Sequence, residues 1–280
     1  MIKSRREKKE GGSIVVTLIL LVLGLIFVAP ILLLVMNSFK PYQEMIKNFL
    51  SFPVNFTLEN YTTAIARMDF FRVFFNSAFV TVFTVAFGVI FSFMAAYGIS
   101  HIQSKGGKFL YILFTMGQII PFHTIMIALQ TMMANYDLTN KLTVLVCLYI
   151  GFHCAFGIFT YVGFLKSIPK ELEEAACIDG CGVIRTMVQV IFPLVKPTSI
   201  TIGVLFFLWT WNDFLMPSLM ISDSEKRTLT VMIYMFRSNA SSEWNLLIAA
   251  LTLSIIPIVL LYILAQKYIT SGITAGAIKM

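Results

Sequence analysis

Uncharged apolar residues run in long blocks along this chain. Ser13 to Phe39, Val73 to Ser100, Phe109 to Tyr136, Leu142 to Leu165 and Trp244 to Gln266 contain no Asp, Glu, Lys or Arg. Each matches or exceeds the roughly 20 helical residues that cross a bilayer core. A sixth block, Thr198 to Ile221, holds one charge, Asp213. None shows the polar face that a helix of a soluble core presents to water. The pattern predicts an all-α membrane protein with six transmembrane helices. The first block is too long for the apolar region of a cleaved leader and no small-residue cleavage site follows it, so it reads as an uncleaved span.

Between the blocks the pattern is polar. Residues 40–72, with Pro41 and Pro53, read as a loop with short structure. Gln103-Ser104-Lys105-Gly106-Gly107 reads as a tight turn, and residues 134–140 as a short outer loop. Pro121 in the third block removes a helix hydrogen bond and predicts a kink there.

Charge orients the six spans. Lys3, Arg5, Arg6, Lys8 and Lys9 stand just before the first one, which argues for a cytoplasmic N-terminus. The cytoplasmic pieces are then residues 1–12, 101–108, 166–197 and 267–280. They carry 13 of the 21 Lys and Arg but only 6 of the 14 acids, so the whole net charge of +7 lies on that side. Both termini are expected in the cytoplasm, and the basic balance needs no nucleic-acid partner. The domain reading is a basic head (1–12), a transmembrane domain (13–270) and a cytoplasmic tail (271–280). Cys177 and Cys181 fall in a cytoplasmic loop, where thiols stay reduced, and no histidine follows at ligand spacing, so no metal site is expected.

One stretch of that loop breaks the apolar pattern. Glu171-Leu172-Glu173-Glu174-Ala175-Ala176-Cys177-Ile178-Asp179-Gly180 gathers four of the chain's acids into ten positions. Pro169 suits a first helical turn, and three glutamates near a helix N-terminus are favoured by the dipole. Gly180 comes where a left-handed cap would end the helix. A second apolar helix is expected from Val183 until Pro193 and Pro197. Helices that lie on lipid favour Lys and Arg, because the cytoplasmic leaflet is negative. An acidic helix with two small alanines instead suits a protein partner whose backbone approaches closely.

Glu174-Ala175-Ala176, Gly180 four positions on, and Val190-Ile191-Phe192-Pro193 after nine more residues resemble the EAA loop of ABC-importer permeases. That loop usually reads E-A-A-x3-G-x9-I-x-L-P, with Val190 and Phe192 here as conservative apolar departures. Ser167 to Leu172 and Asp179 are similar to the same loop. Trp211-Asn212-Asp213-Phe214, Thr228 to Val231 and the tail Gly272 to Lys279 resemble the carbohydrate branch, in particular its maltose-type second permease subunit. The resemblance implies the type I importer fold. It assigns ATPase coupling to Glu174, Ala175, Ala176, Asp179 and Gly180 within the loop 167–197. It also implies the partners: a second homologous permease, two ATPase subunits that bind ATP and Mg, an extracytoplasmic sugar-binding protein and the sugar itself, in a bacterial or archaeal-type inner membrane. Sugar contacts are implied mainly on the partner permease.

No catalytic, cofactor or metal residues are expected on this chain. A phosphate-cradling loop needs G-x-x-x-x-G-K-[ST], and the nearest approach, Gly107-Lys108-Phe109, lacks both the hydroxyl and the first glycine. An ion-driven secondary transporter would need intramembrane carboxylates or an inverted repeat. Asp213 alone, with no visible repeat, makes that the weaker reading; an importer of a non-sugar solute is the other. His123 and His153 admit two readings, proton relays or neutral histidines hydrogen-bonded inside the bundle, and the absence of an acidic residue from the third and fourth blocks favours the second. Trp211, Asn212 and Asp213 form the candidate translocation path. For Asp213 two readings stand, a polar lining or a hydrated carboxylate among interfacial tryptophans. Substitution of Asn212 or Asp213 is expected to alter gating or assembly more than sugar choice.

Overall fold

A computed structural model describes residues 2–102, 104–239 and 243–277. Those residues are helical with short connections: α1 (Ile2–Ser38), α2 (Tyr42–Lys47), α3 (Glu59–Met68), α4 (Phe70–His101), α5 (Lys105–Met116), α6 (Phe122–Asn135), α7 (Leu142–Leu165), α8 (Glu171–Ile178), α9 (Val183–Arg185), α10 (Phe192–Asn212), α11 (Leu215–Met220), α12 (Leu229–Asn239) and α13 (Trp244–Ala277). Thr186–Ile191 form a π-helical turn that joins α9 to α10. Residues 278–280, the end of the expected tail, lie outside the described residues, and α13 continues the last span through residue 277.

Among the described residues, five helical runs are long and apolar enough to cross a membrane: Val16–Ser38, Phe70–His101, Leu142–Leu165, Val183–Asn212 and Trp244–Lys267. The third expected span differs. Its residues form α5 and α6, which are 12 and 14 residues long. At 1.5 Å per residue each reaches only about 20 Å, short of a bilayer core. The break falls where Pro121 adopts an extended backbone (φ −65°, ψ 130°) and Gly117 caps α5. Proline's missing N–H and ring therefore do more than kink this segment; they end one helix and start another.

The fifth span differs in the opposite sense. The helix does not stop at Pro193 and Pro197 but runs unbroken from Val183 to Asn212. The π-helical turn sits directly before Pro193. A wider turn there relieves both the missing donor and the ring's steric demand.

The chain forms two compact units. The first comprises residues 1–68 and 235–255. Within it, residues 40–68 carry the short structure expected of that loop, the helices α2 and α3. Asn60 lies at the centre: its Nδ2 donates to the carbonyls of Ser38 and Lys40 at 2.8 Å each, and its Oδ1 accepts from Asn245 Nδ2 at 2.6 Å. Lys40 is fully buried and donates to the Asn48 carbonyl at 2.8 Å. The Glu44 carboxylate accepts from Val54 N and Asn55 N. Those backbone hydrogen bonds hold its pKa below the usual carboxylate value despite some desolvation. Arg67 pairs with Glu243.

The second unit comprises residues 69–234 and 256–280. Its core joins α4, α7 and the α9–α10 run through Phe93, Tyr97, Tyr161, Ile191, Val195 and Phe206. Small residues bring the helices close, as in other membrane bundles. A Cβ on Gly157 of α7 would lie 2.3 Å from Ser92 Oγ of α4, and one on Gly88 would lie 3.1 Å from the Phe206 ring. Buried Tyr161 donates to Ser199 Oγ at 2.7 Å. Asn140, at positive φ (58°), accepts from Ser222 N and Asp223 N at 2.7 and 2.9 Å and so fixes the end of α11.

Candidate functional site

The acidic stretch folds into a short capped helix. Glu171, Glu173 and Glu174 occupy the first turn of α8, and none of the three has a basic neighbour in the helix itself. The C-terminus closes with the paired hydrogen bonds of a left-handed cap: Cys181 N donates to Ala176 O at 2.9 Å and Gly180 N to Cys177 O at 3.0 Å. Gly180 has φ +78°, the conformation expected from its place in the sequence. Asp179, just before it, has φ −73° and donates its N–H back to Ala175 O at 3.0 Å.

One face of α8 is held and the other is open. Ala176 is 7% exposed, and α8 packs against the π-helical turn. Glu171, Leu172, Glu174, Ala175 and Asp179 are exposed. Beside them Ile178 is 86% exposed, and Val183, Ile184 and Val188 are also open to solvent. Acid at one end of the helix and four bare aliphatic side chains at the other make a mixed surface. Neither hydrocarbon nor an anionic headgroup layer suits both halves; a protein cleft does.

Glu173 alone of the three glutamates turns inward. Its Oε2 is 2.5 Å from His101 Nε2 and accepts from Tyr97 OH at 3.4 Å, tying α8 to the end of α4. His101 Nδ1 lies 2.7 Å from the Tyr97 carbonyl, which sets the ring's orientation. Neither Tyr97 nor His101 carries a role legible in the sequence. They precede Glu173 by more than seventy residues, and nothing local marks them. This pair is half exposed, so its strength is of the order of 1 kcal/mol. A His101→Gln or Glu173→Gln chain is therefore expected to reach the membrane in normal amount and to unfold in detergent only a few degrees below the parent chain. Thermal unfolding of the two purified variants checks this.

The candidate path residues separate. Trp211 is buried, stacked on Phe207 at 5.6 Å and edge-on to Phe74 at 5.7 Å, so it belongs to the core. Asn212 is exposed and donates to Leu208 O at 2.8 Å. Asp213 stands where α10 stops, accepting from Tyr149 OH at 2.7 Å and from Leu215 N at 2.9 Å. Its carboxylate thus caps α11 as well as facing a cavity of about 730 Å³ that Asn212, Tyr149, His153 and Trp209 also line. His153 Nε2 lies 3.0 Å from Thr210 Oγ1, and the ring stacks on Phe206, in line with a hydrogen-bonded bundle histidine. His123 is exposed at the start of α6 on the same cavity.

The stretch 222–243 is not a bare connector either. Asp223 N-caps a 3-10 turn at Ser224–Lys226, and its pKa is lowered by the hydrogen bond from Glu225 N and by Lys226. Leu229 N then donates to Ser77 Oγ at 2.8 Å, and Leu229, Val231 and Ile233 are buried. Residues 240–242 lie outside the described residues.

Several membrane-length helices, with a capped acidic helix of exposed outer face between two of them in the chain, define a polytopic membrane protein. The chain belongs to the family of binding-protein-dependent transport system inner membrane components, whose pattern it matches over residues 88–275. It is 40% identical over 273 residues to the probable starch degradation products transport system permease protein AmyC of Thermoanaerobacterium thermosulfurigenes, covering 98% of this chain and 99% of that one. It is 34% identical to the multiple sugar-binding transport system permease protein MsmG of Streptococcus mutans, over 91% and 93% of the two chains. Among solved structures it resembles a chain of a bacterial ABC transporter that imports the acidic polysaccharide alginate. The TM-score is 0.78 and the identity 24%, covering 91% of this chain and 95% of that one. That likeness fixes the fold.

Proposed function

We propose that this chain is one of two permease subunits of an ATP-driven importer of sugars or oligosaccharides. Its α8 helix couples it to a separate ATPase. The observation that carries the coupling role is the geometry around Gly180. A left-handed glycine closes an acidic helix whose outer face and neighbouring Ile178, Val183 and Ile184 are bare. Glu174, Ala175, Asp179 and Gly180 form the contact, the buried Ala176 seats α8 on the π-helical turn, and Glu173 with His101 holds it to α4. The sugar assignment rests on the whole-length similarity to permeases named for starch products and multiple sugars.

In this reading the protein crosses the inner membrane six times, with α5 and α6 together making the third crossing and both termini in the cytoplasm. A homologous permease completes the pathway. Two ATPase subunits bind ATP and Mg and supply the energy, and an extracytoplasmic binding protein delivers the sugar. Closure of the ATPases on ATP draws the two coupling helices together and opens the pathway outward; hydrolysis resets it. Membership of a permease family accords with a non-enzymatic chain.

Affinity purification of the tagged chain from its own membranes tests the docking role. A P-loop ATPase should co-purify, and Ile178→Asp with Ile184→Asp should release it while a homologous permease stays bound. An ATPase that remains bound to the double variant would remove α8 and its neighbours from the contact.

A further inference from the structure

Two grooves in the second unit differ in chemistry. One runs along Phe79, Phe83, Phe87 and Phe91 of α4, whose rings follow one another 4.6 to 5.9 Å apart, and its lining is almost wholly apolar. Such a surface suits acyl chains or a neighbouring helix. The other is the cavity of about 730 Å³ between the start of α6, α7 and the end of α10. It exposes the Asn212 amide, the Asp213 carboxylate and His123. Amide and carboxylate groups turned toward hydrocarbon are strongly disfavoured. The cavity therefore faces water or a polar ligand.

Its remaining wall is aromatic. Trp209 is 42% exposed, while its other side is pinned by Phe156 at 5.1 Å and His153 at 5.5 Å. A rigid indole held on one side and open on the other is a flat apolar platform. Three residues along, one helical turn away, Asn212 spends one N–H on Leu208 O. Its Oδ1 has no hydrogen bond among the described residues. Asp213 holds two donors, Tyr149 OH and Leu215 N, and its oxygens retain lone pairs for more. The volume falls within the roughly 300–1,000 Å³ of small-molecule sites.

We propose that this cavity is a saccharide subsite on this chain, with a sugar ring face on Trp209 and ring hydroxyls donating to Asn212 Oδ1 and Asp213. The proposal rests on the carbohydrate-importer reading and revises the expectation that sugar contacts lie mainly on the partner permease. It also sets a class of substrate. Among the described residues, Asp213 is the one acidic side chain lining the cavity and no Lys or Arg lines it, so neutral saccharides are accepted while uronates find no basic partner. The likeness to the alginate importer extends to the fold and not to an acidic substrate.

The test uses the purified transporter complex without its binding protein, in nanodiscs. Equilibrium binding is measured for maltotriose, raffinose, diacetylchitobiose and trimannuronate. At least one neutral probe should bind, and trimannuronate should bind at least about tenfold more weakly. Trp209→Ala should weaken the neutral probe about tenfold, whereas Trp209→Phe, which keeps an aromatic face and guards against a folding artefact, should cost no more than about threefold. Phe83→Ala, in the apolar groove, serves as the control and should change nothing. A neutral probe that binds wild type and Trp209→Ala alike would overturn the subsite and leave the importer reading intact. A complex that imports none of the four saccharides, yet moves another solute at the expense of ATP, would overturn both. Tighter binding of trimannuronate than of every neutral probe would overturn the substrate class.

Discussion

A Gly180→Val chain is expected to reach the membrane in normal amount and to support no import. Gly180 stands at φ +78°, and a Cβ built there meets no atom within 4 Å. The penalty therefore comes from the backbone and not from crowding. A residue with a Cβ in the left-handed region costs roughly 1–2 kcal/mol, and a β-branched one more. The cheapest relief is to abandon the left-handed turn. That breaks the bond from Cys181 N to Ala176 O and swings α8 away from its angle to α9. The change lies in a solvent-exposed loop and spares the membrane core, so insertion survives while coupling does not. Gly180→Asn, whose side chain tolerates the left-handed region, should keep a measurable fraction of transport. Uptake and membrane abundance measured together decide the matter. Normal uptake by the valine variant would remove the left-handed turn from the mechanism.

The second large effect is expected inside the bundle. Gly157→Leu should prevent recovery of folded protein in detergent. A Cβ at Gly157 would stand 2.3 Å from Ser92 Oγ, 2.6 Å from Ser92 Cβ and 3.2 Å from the Phe206 ring. Alanine already forces α4 and α7 apart, and overpacking of this kind costs about 1–3 kcal/mol or more. Leucine adds three carbons to the same point, where Ser92 and Phe206 are fully buried. The order of monodisperse yield should be glycine, alanine, leucine, by size-exclusion chromatography. Ser92→Gly should rescue Gly157→Ala in part, because it removes the two nearest atoms. Equal yields for all three would mean that α4 and α7 do not pack through Gly157.

The parts of this fold that were legible in the sequence are those set by local chemistry. Uncharged blocks marked the long helices, because a bilayer tolerates few charges. Glutamates followed by Gly180 marked the capped helix, because dipole and left-handed turn act within a few residues. Legibility failed where an outcome depends on tertiary competition. Pro121 predicts a kink, yet α5 ends before it and α6 starts after it; Pro193 and Pro197 predict stops, yet the helix passes both. The same residue type gives opposite results according to what precedes it, an extended turn after Gly117 or a π-helical turn at Thr186–Ile191. Trp211 and Trp209 show the same limit at the site. Two positions apart on a helix they point in different directions, and only packing against Phe74 and Phe207 tells which one is core. The clamp of Glu173 by His101 and Tyr97 was beyond reach, since it exists only once α4 and α8 meet.

The central claim, that sugar crosses through this chain at the expense of ATP hydrolysed elsewhere, is most directly tested in proteoliposomes. These would hold the complete complex, with binding protein outside, ATP and Mg inside, and no ion or pH gradient. The predicted result is accumulation of a labelled oligosaccharide that requires both ATP and the binding protein and is lost in Gly180→Val. Uptake that proceeds without ATP when a proton or sodium gradient is imposed would contradict it.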